Sequence, residues 1–228
     1  RVGGDIKNSI SYYKKALKIF ESNNFKHGIG YTLCGLGGST RIAGDFEKSL
    51  AFYIKANKTL TSIKDKFGRA YSYCGIGNAY RMMFNLQEAE NHFKKAVLIY
   101  EEIGDIVSYS YTLWSMSVVH KMRGSYRDAK ALLQKANHNF KKTSDSRGEA
   151  YCKMTLAEIY HLEGNPDGAI KLLEDAYNLC KIDSLNLEMR HCLMIKDIIM
   201  DKDIHTHIKA YKDIGVKIRH FSLPLNLP

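Results

Sequence analysis

The chain has 228 residues, of which 45% are hydrophobic and 25% are charged, and it contains three prolines. This composition is too apolar for a disordered segment and too charged for a membrane protein, and no run of about 18 apolar residues is present to span a bilayer. The net charge of +10 is uneven, because residues 107–146 carry +5 whereas residues 147–186 carry −3. Nucleic-acid binding favours a continuous basic surface, so we expect neither a nucleic acid nor a membrane as partner.

Comparison of the sequence with itself gives a period of 40 residues that holds without insertion or deletion. The clearest rows are Ala16, Ala56, Ala96, Ala136 and Ala176, and Tyr31, Tyr71, Tyr111 and Tyr151. A turn motif recurs with the same period at Gly4-Asp5-Ile6, Gly44-Asp45-Phe46, Phe84-Asn85-Leu86, Gly124-Ser125-Tyr126 and Gly164-Asn165-Pro166. Because chance does not keep one register over five units, the sequence predicts a repeat protein.

Each unit contains two helical patterns around the turn motif, which we name helix A, before the turn, and helix B, after it. Apolar residues of helix B, such as Leu50, Tyr53 and Leu60, recur at the spacing that places them on one helical face. The glycine of the motif predicts the end of helix A, and the polar residue after it predicts the N-cap of helix B. These candidate N-caps are Asp45, Asn85, Ser125 and Asn165. Small residues of helix A, such as Gly37 and Gly77, predict close helix contacts.

The period divides the chain in order. The predicted segments are 1–26, a partial repeat with helix B alone; 27–66, 67–106, 107–146 and 147–185, four repeats; 186–216, C-terminal capping helices; and 217–228, an extended tail or linker. The missing helix A of the first segment indicates a repeat that is cut upstream. Leu223-Pro224 and Leu227-Pro228 prevent a helix in the tail. The tail either leads to another domain or packs back on the repeats, and we favour a linker because such stretches are frequent at domain edges.

Residues at fixed positions of each unit resemble the tetratricopeptide repeat family. One unit reads Leu36-Gly37, Thr40, Gly44, Phe46, Ser49, Tyr53 and Ala56, and the next reads Ile76-Gly77, Tyr80, Phe84, Leu86, Ala89, Phe93 and Ala96. The resemblance covers about residues 4–181, and its 40-residue unit, in place of the usual 34, is similar to Pins-type and kinesin-light-chain-type repeats. It implies an all-α fold, a right-handed α-solenoid of stacked antiparallel helix pairs.

Patterns typical of catalysis or of metal binding are missing from the sequence. It contains no GxSxG, P-loop or HExxH motif, and His205-Thr206-His207 has no further ligand at a suitable spacing. We therefore expect no enzyme, no cofactor and no metal. The five cysteines include no CxxC pair, so we expect thiols in a reducing cytoplasm.

Members of the tetratricopeptide repeat family usually bind peptides with helix A, and the resemblance therefore implies a concave groove lined by recurrent rows. The tyrosine row contains Tyr31, Tyr71, Tyr111 and Tyr151, and the basic row, ten residues further on, contains Arg41, Arg81, Lys121 and His161. Tyrosines are favoured at recognition surfaces, and basic side chains suit the carboxylates of an acidic peptide. Asn78 and Trp114 complete the candidate partner-binding residues.

Each of these features also has a structural interpretation. The tyrosines can pack between adjacent repeats, and basic residues near the end of helix A can form a solvated face favoured by the helix dipole. Trp114, the only tryptophan, is either an anchor for a partner or part of the core. Asn78 with Arg81 resembles part of the carboxylate clamp of chaperone-binding members, but Cys74 occupies the position of the clamp's other basic residue, which argues against a chaperone tail as ligand.

The leading functional hypothesis is a non-enzymatic scaffold that binds a peptide or helix of a partner protein, with Arg81 and Lys121 selecting acidic residues. On this hypothesis, Arg81→Glu weakens partner binding and leaves the melting temperature nearly unchanged. A second hypothesis is a regulatory sensor domain of a larger signalling protein. A third is homo-oligomeric assembly through exposed terminal repeats.

Overall fold

The computed structural model describes residues 6–227, which contain eleven helices and no strand. The helices are α1 Ile6–Ser22, α2 Lys26–Ile42, α3 Phe46–Ser62, α4 Lys66–Met82, α5 Leu86–Ile103, α6 Ile106–Met122, α7 Tyr126–Lys142, α8 Ser146–Leu162, α9 Pro166–Ile182, α10 Asn186–Ile199 and α11 His205–Asp213. The turn motif at Gly4-Asp5 and the final Pro228 lie outside the described residues. None of the described helices is both long enough and apolar enough to cross a membrane.

The described chain divides into two compact units. The first comprises the residues up to Asp105 with Tyr211–Arg219 and Leu227, and the second comprises Ile106–Ala210 and His220–Asn226. In the first unit each helix from α1 to α5 packs against the next, and the A helices α2 and α4 touch each other. In the second unit α6 to α10 follow the same pattern, with α8 touching both α6 and α10. The predicted all-α repeat fold is confirmed.

Every turn between helices A and B contains one residue with positive φ, and these residues recur every 20 positions. After helix A they are Gly44, Phe84, Gly124 and Gly164, and after helix B they are Asn24, Lys64, Gly104, Ser144 and Ser184. Glycine adopts this conformation without a steric cost, whereas Phe84, at φ 62°, is held in it against its own preference by the packed helices on either side.

The predicted N-cap positions of helix B are confirmed at all four residues, three of which form a side-chain capping hydrogen bond. The side chains of Asp45, Asn85 and Asn165 each accept a hydrogen bond from the backbone N–H three residues later, at 3.3, 3.3 and 2.9 Å. Ser125 is likewise the N-cap residue of α7, but its side chain forms no capping hydrogen bond. The helix that it begins, α7, still starts at the expected residue, since burial of its apolar face contributes more to helix formation than one cap.

Small residues allow helices A and B to approach closely, as the sequence predicts. A Cβ atom on Gly37 would lie 2.7 Å from the Tyr53 ring, and one on Gly77 would lie 2.7 Å from the Phe93 ring. These distances are too short for any larger residue without displacement of the helix. The alanine row is fully buried at Ala56, Ala96, Ala136 and Ala176.

The segment after α11 lies against helices instead of leaving them. In the first unit, Lys217 N donates to Ile42 O at 2.9 Å, and the Arg219 guanidinium lies 4.1 Å from the centre of the Phe46 ring. In the second unit, Leu225 is only 1% exposed. The described part of the tail thus packs back on the helices, because its apolar side chains gain free energy by leaving water for the surface of the helices.

Candidate functional site

Members of the tyrosine row lie between consecutive repeats, and two of them donate their hydroxyl hydrogens to the aspartates that precede the next helix A. Tyr31 Oη donates to Asp65 Oδ2 at 2.9 Å, and Tyr111 Oη donates to Asp145 Oδ1 at 3.0 Å. Each aspartate also accepts a backbone N–H in the first turn of the next helix A, so it is that helix's N-cap. Burial, together with the bonded carboxylate, raises the pKa of both tyrosines, which keeps the hydroxyl protonated as a donor.

The last tyrosine of the row makes the equivalent contact with an acid one turn further into the next helix. Tyr151 Oη donates to Glu188 Oε1 at 3.0 Å, and the same oxygen lies 2.9 Å from Arg147 Nε. Burial raises the pKa of Tyr151 well above its usual value. Tyr71 lines a cavity of about 200 Å³ in the first unit with Tyr13, Tyr31, Gly35 and Phe67. The contacts of Tyr31, Tyr111 and Tyr151 agree with the interpretation in which the row packs between repeats.

Trp114 also connects two A helices of the second unit. Its Nε1 donates to Thr155 Oγ1 at 2.9 Å, and its ring stacks on Tyr151 with the ring centres 4.7 Å apart and the planes 23° apart. The side chain is half-buried. Trp114 therefore stabilises the α6–α8 contact and remains partly exposed.

Lys121, a member of the basic row, forms a buried ion pair with Glu158 of the neighbouring helix A. The Lys121 Nζ atom lies 2.7 Å from Glu158 Oε2, and the two side chains are 2% and 4% exposed. The pair holds the main chain of Leu225 from both sides, because Leu225 N donates to Glu158 Oε2 at 2.7 Å and Lys121 Nζ donates to Leu225 O at 3.0 Å. We name Lys121 and Glu158 together the main-chain clamp.

Arg81 makes a related contact in the first unit. Its Nη2 atom donates to Leu227 O at 3.0 Å and to Asn78 Oδ1 at 3.2 Å. Asn78 is oriented in turn by its Nδ2 group, which donates to Cys74 O at 3.1 Å. Because Arg81 is only 1% exposed, a glutamate there would be buried among groups arranged for a cation. In contrast to the expectation from the sequence, Arg81→Glu should therefore lower the melting temperature.

The two end members of the basic row, Arg41 and His161, differ from Lys121 and Arg81. Both side chains are half-buried, and among the described residues neither Arg41 Nε nor His161 Nδ1 has a hydrogen-bond partner. The row predicted from the sequence thus separates into two inner members that hold the main chain of the C-terminal segment and two outer members with an unbonded ring or guanidinium nitrogen.

Sequence reasoning missed the role of Glu158 and of Leu225. Glu158 lies 37 residues after Lys121, one turn before the position equivalent to it in the next repeat, so the two side chains face each other across adjacent A helices. That spacing of opposite charges is a signal in the sequence. Nothing in the tail itself indicates that Leu225, among several leucines, occupies the clamp.

Comparison with known proteins agrees with this repeat architecture. Residues 28–102 and 68–137 match the tetratricopeptide repeat model. The chain belongs to the tetratricopeptide repeat family. Proteins of this family are generally non-enzymatic scaffolds. Among curated protein sequences, none matches the chain significantly.

Several solved structures share the tetratricopeptide repeat fold of this chain. BtubC (BKLC) from P. vanneervenii has a TM-score of 0.64 at 12% identity, over 92% of this chain and 90% of that one. Aspartyl phosphate phosphatase F from Bacillus subtilis has a TM-score of 0.72 at 13% identity, over 92% of this chain and 55% of that one. A Rap protein complexed with competence and sporulation factor has a TM-score of 0.66 at 16% identity, over 92% and 61%. This chain therefore spans little more than half of the last two, and at these identities the likeness is one of fold.

Proposed function

We propose that this tetratricopeptide repeat protein is a non-enzymatic scaffold that binds an extended peptide segment of a partner protein on its A helices. One observation carries the proposal: the main-chain clamp bonds both the N–H and the C=O of Leu225. Side chains that pair with the main chain of one extended residue can hold an extended segment whatever its origin, because every residue other than proline offers the same two groups.

The binding residues that we propose are Arg81 and Asn78 in the first unit, and Lys121, Glu158 and Trp114 in the second. Arg41 in the first unit and His161 in the second are added to them, because their unbonded nitrogens suit acidic groups. The tyrosine row supports this surface through its contacts between repeats. The fold itself is compatible with such a role, since the similar Rap protein is complexed with competence and sporulation factor.

We also propose a cytoplasmic location and no cofactor. All five cysteines lie within the described residues, four of them buried, and each is a thiol outside any disulfide. Burial raises the pKa of Cys152 to about 12, so this thiol is inert at neutral pH. Such cysteines are typical of proteins in a reducing compartment.

Site-specific photo-cross-linking in cells that express the full chain tests the proposed function. A photoreactive amino acid replaces Asn78, on the A helix α4, and in a matched variant it replaces Leu98, which is 67% exposed on the B helix α5 of the same unit. We expect a specific protein to be captured from position 78 and not from position 98. Capture of the same proteins from both positions, or of none from position 78, would contradict a partner-binding surface on the A helices.

A further inference from the structure

The tail residue in the main-chain clamp is held as a bound ligand would be. We propose that residues 220–226 are an internal ligand of the A helices α6 and α8 of the second unit, and that a partner competes with them by presenting an extended, uncharged segment centred on leucine. This inference rests on the proposed function and names the chemistry of the segment that the surface recognises.

Complementary charges within the clamp favour an uncharged segment. The Lys121 ammonium and the Glu158 carboxylate lie 2.7 Å apart and balance each other, so the site has no net charge to offer an acidic side chain. Both groups instead direct one bond each to the main chain of Leu225. The acidic partner residues expected from the sequence are therefore not favoured at Lys121.

Burial within the tail indicates which side chains carry specificity. Leu225 is 1% exposed and Asn226 is 8% exposed, whereas His220 and Ser222 are exposed. In the first unit, Leu227 adds a main-chain contact, because its carbonyl accepts from Arg81 Nη2 at 3.0 Å. A competing segment thus needs a leucine followed by a small polar residue, with free main-chain groups at the leucine.

The buried ion pair of the clamp is stabilised when a polypeptide main chain binds to it. A buried ion pair without further hydrogen bonds is costly, and here the pair gains two of them from Leu225. Residues 220–224 contribute no buried side chain, so the segment is anchored mainly through its last residues. This combination, a site that needs an occupant and an occupant with a short anchor, favours exchange between the tail and a partner.

Attachment to the same chain gives the tail an advantage over any partner. A short tether holds it at an effective concentration on the order of mM, so a free peptide of the same sequence competes poorly with the intact tail. Weakening the tail's own leucine removes this advantage and leaves the clamp residues intact. A variant at Leu225 should therefore bind the free peptide far more tightly than the wild-type chain does.

The test uses the full chain and a fluorescein-labelled peptide with the sequence of residues 219–228. Fluorescence anisotropy measures its affinity for the wild type, for Leu225→Lys, and for Ser222→Lys, which adds the same charge to the same segment at an exposed position. We expect Leu225→Lys to bind the peptide at least tenfold more tightly than the other two. A peptide with lysine in place of the residue corresponding to Leu225 should not bind.

A second measurement uses the wild-type chain alone and does not depend on the folding of a variant. Hydrogen exchange should show the Leu225 amide protected, and an excess of the unlabelled peptide should accelerate exchange throughout residues 220–226. Equal peptide affinity of all three proteins, or tail exchange unchanged by saturating peptide, would overturn the internal ligand.

Light scattering measures the oligomeric state and tests whether the tail binds its own chain or a second copy. A monomeric wild-type chain supports the internal assignment, and a dimer that Leu225→Lys converts to a monomer would overturn it by assigning the tail to a second copy. Failure of the internal ligand is distinguishable from failure of the scaffold, because cross-linking of a partner at position 78 does not depend on the tail peptide.

Discussion

The two ends of helix A carry rows with the same 40-residue period but with different uses. The tyrosine row, near the start of the helix, directs its hydroxyl groups to acidic residues at or near the start of the next helix A, as Tyr111 does to Asp145. The basic row, near the end, directs its inner members to the main chain of the C-terminal segment, as Lys121 does to Leu225. A repeated residue is therefore a candidate for binding only where its side chain bonds a segment that lies outside the repeated helix pairs.

The comparison extends to a fifth position of the tyrosine row. His191 lies 40 residues after Tyr151, on α10, and is only 4% exposed. Burial, with a contribution from Arg190, lowers the pKa of His191 to about 4. The last repeat thus replaces a neutral donor with a group whose charge depends on pH, and this difference can be measured.

The largest expected effect comes from breaking the main-chain clamp. Lys121→Met leaves the Glu158 carboxylate buried without its cation, and loss of one partner of a buried ion pair costs about 3–5 kcal/mol. We expect a decrease of this size in the free energy of unfolding measured by chemical denaturation. The double variant Lys121→Met with Glu158→Met should recover most of it, because an apolar pair needs no compensating charge.

A matched control in the same unit is the partly exposed pair of Lys130 and Glu163. The Lys130 Nζ atom lies 2.8 Å from Glu163 Oε1, and the side chains are 39% and 35% exposed. Lys130→Met should change the free energy of unfolding by only about 0–1 kcal/mol. Equal changes in the free energy of unfolding for Lys121→Met and Lys130→Met would show that the clamp is solvated. Lys121 would then not hold a buried main-chain group, and the basic row would lose the role that distinguishes it from the tyrosine row.

The second prediction concerns His191 and pH. The unfolded chain takes up the histidine proton near pH 6.5, whereas the folded chain resists it until about pH 4. The stability that comes from a neutral His191 is therefore fully present above pH 6.5 and is lost as the pH falls toward 4. Linkage gives a total loss of about 3 kcal/mol at pH 4.

The control for this prediction is His191→Phe, which keeps a ring but cannot bind a proton. Stability curves of the variant and the wild type, measured by denaturation between pH 7 and pH 4, should converge as the pH is lowered, because only the wild type carries the histidine contribution. Parallel curves would mean that His191 is accessible to protons in the folded state.

Much of this architecture was predictable from the sequence, because a period of 40 residues repeats the same packing problem five times. The alanine row and the glycines Gly37 and Gly77 carry that information directly, since only small residues fit where helices touch. The occupant of the basic row was not predictable. Leu225 belongs to no repeat, so its position depends on a long-range contact with α6 and α8 that no local pattern records.

The tyrosine row shows a different limit of sequence reasoning. An accessible tyrosine and a tyrosine between repeats have the same helical position, and only the acid 34 residues later separates them, as with Tyr31 and Asp65. That aspartate is also the N-cap of the next helix A. Capping alone explains why an aspartate stands there, so the sequence gives no reason to expect a second role for it. A residue with two simultaneous roles is hard to recognise from one of them.

The smallest expected effect tests the tyrosine row itself. Tyr151→Phe removes the hydroxyl that donates to Glu188 and leaves that carboxylate with Arg147 at 2.9 Å, so no charge loses its last partner. Because a hydrogen bond contributes about 0.5–1.5 kcal/mol net, we expect stability to fall by about 1 kcal/mol. Tyr12→Phe, at a tyrosine that is 67% exposed, is the control and should leave the free energy of unfolding unchanged.

The same variant separates the two rows when it is combined with Leu225→Lys. If the tyrosines act between repeats and the clamp acts on the segment, Tyr151→Phe lowers stability and leaves the affinity for the tail peptide unchanged, since it removes only the hydroxyl bonded to Glu188 and keeps the ring that stacks on Trp114. The opposite result, a loss of peptide affinity with unchanged stability, would place the tyrosine row on the binding surface. It would also mean that the two ends of helix A share one function, because a ligand would then contact both.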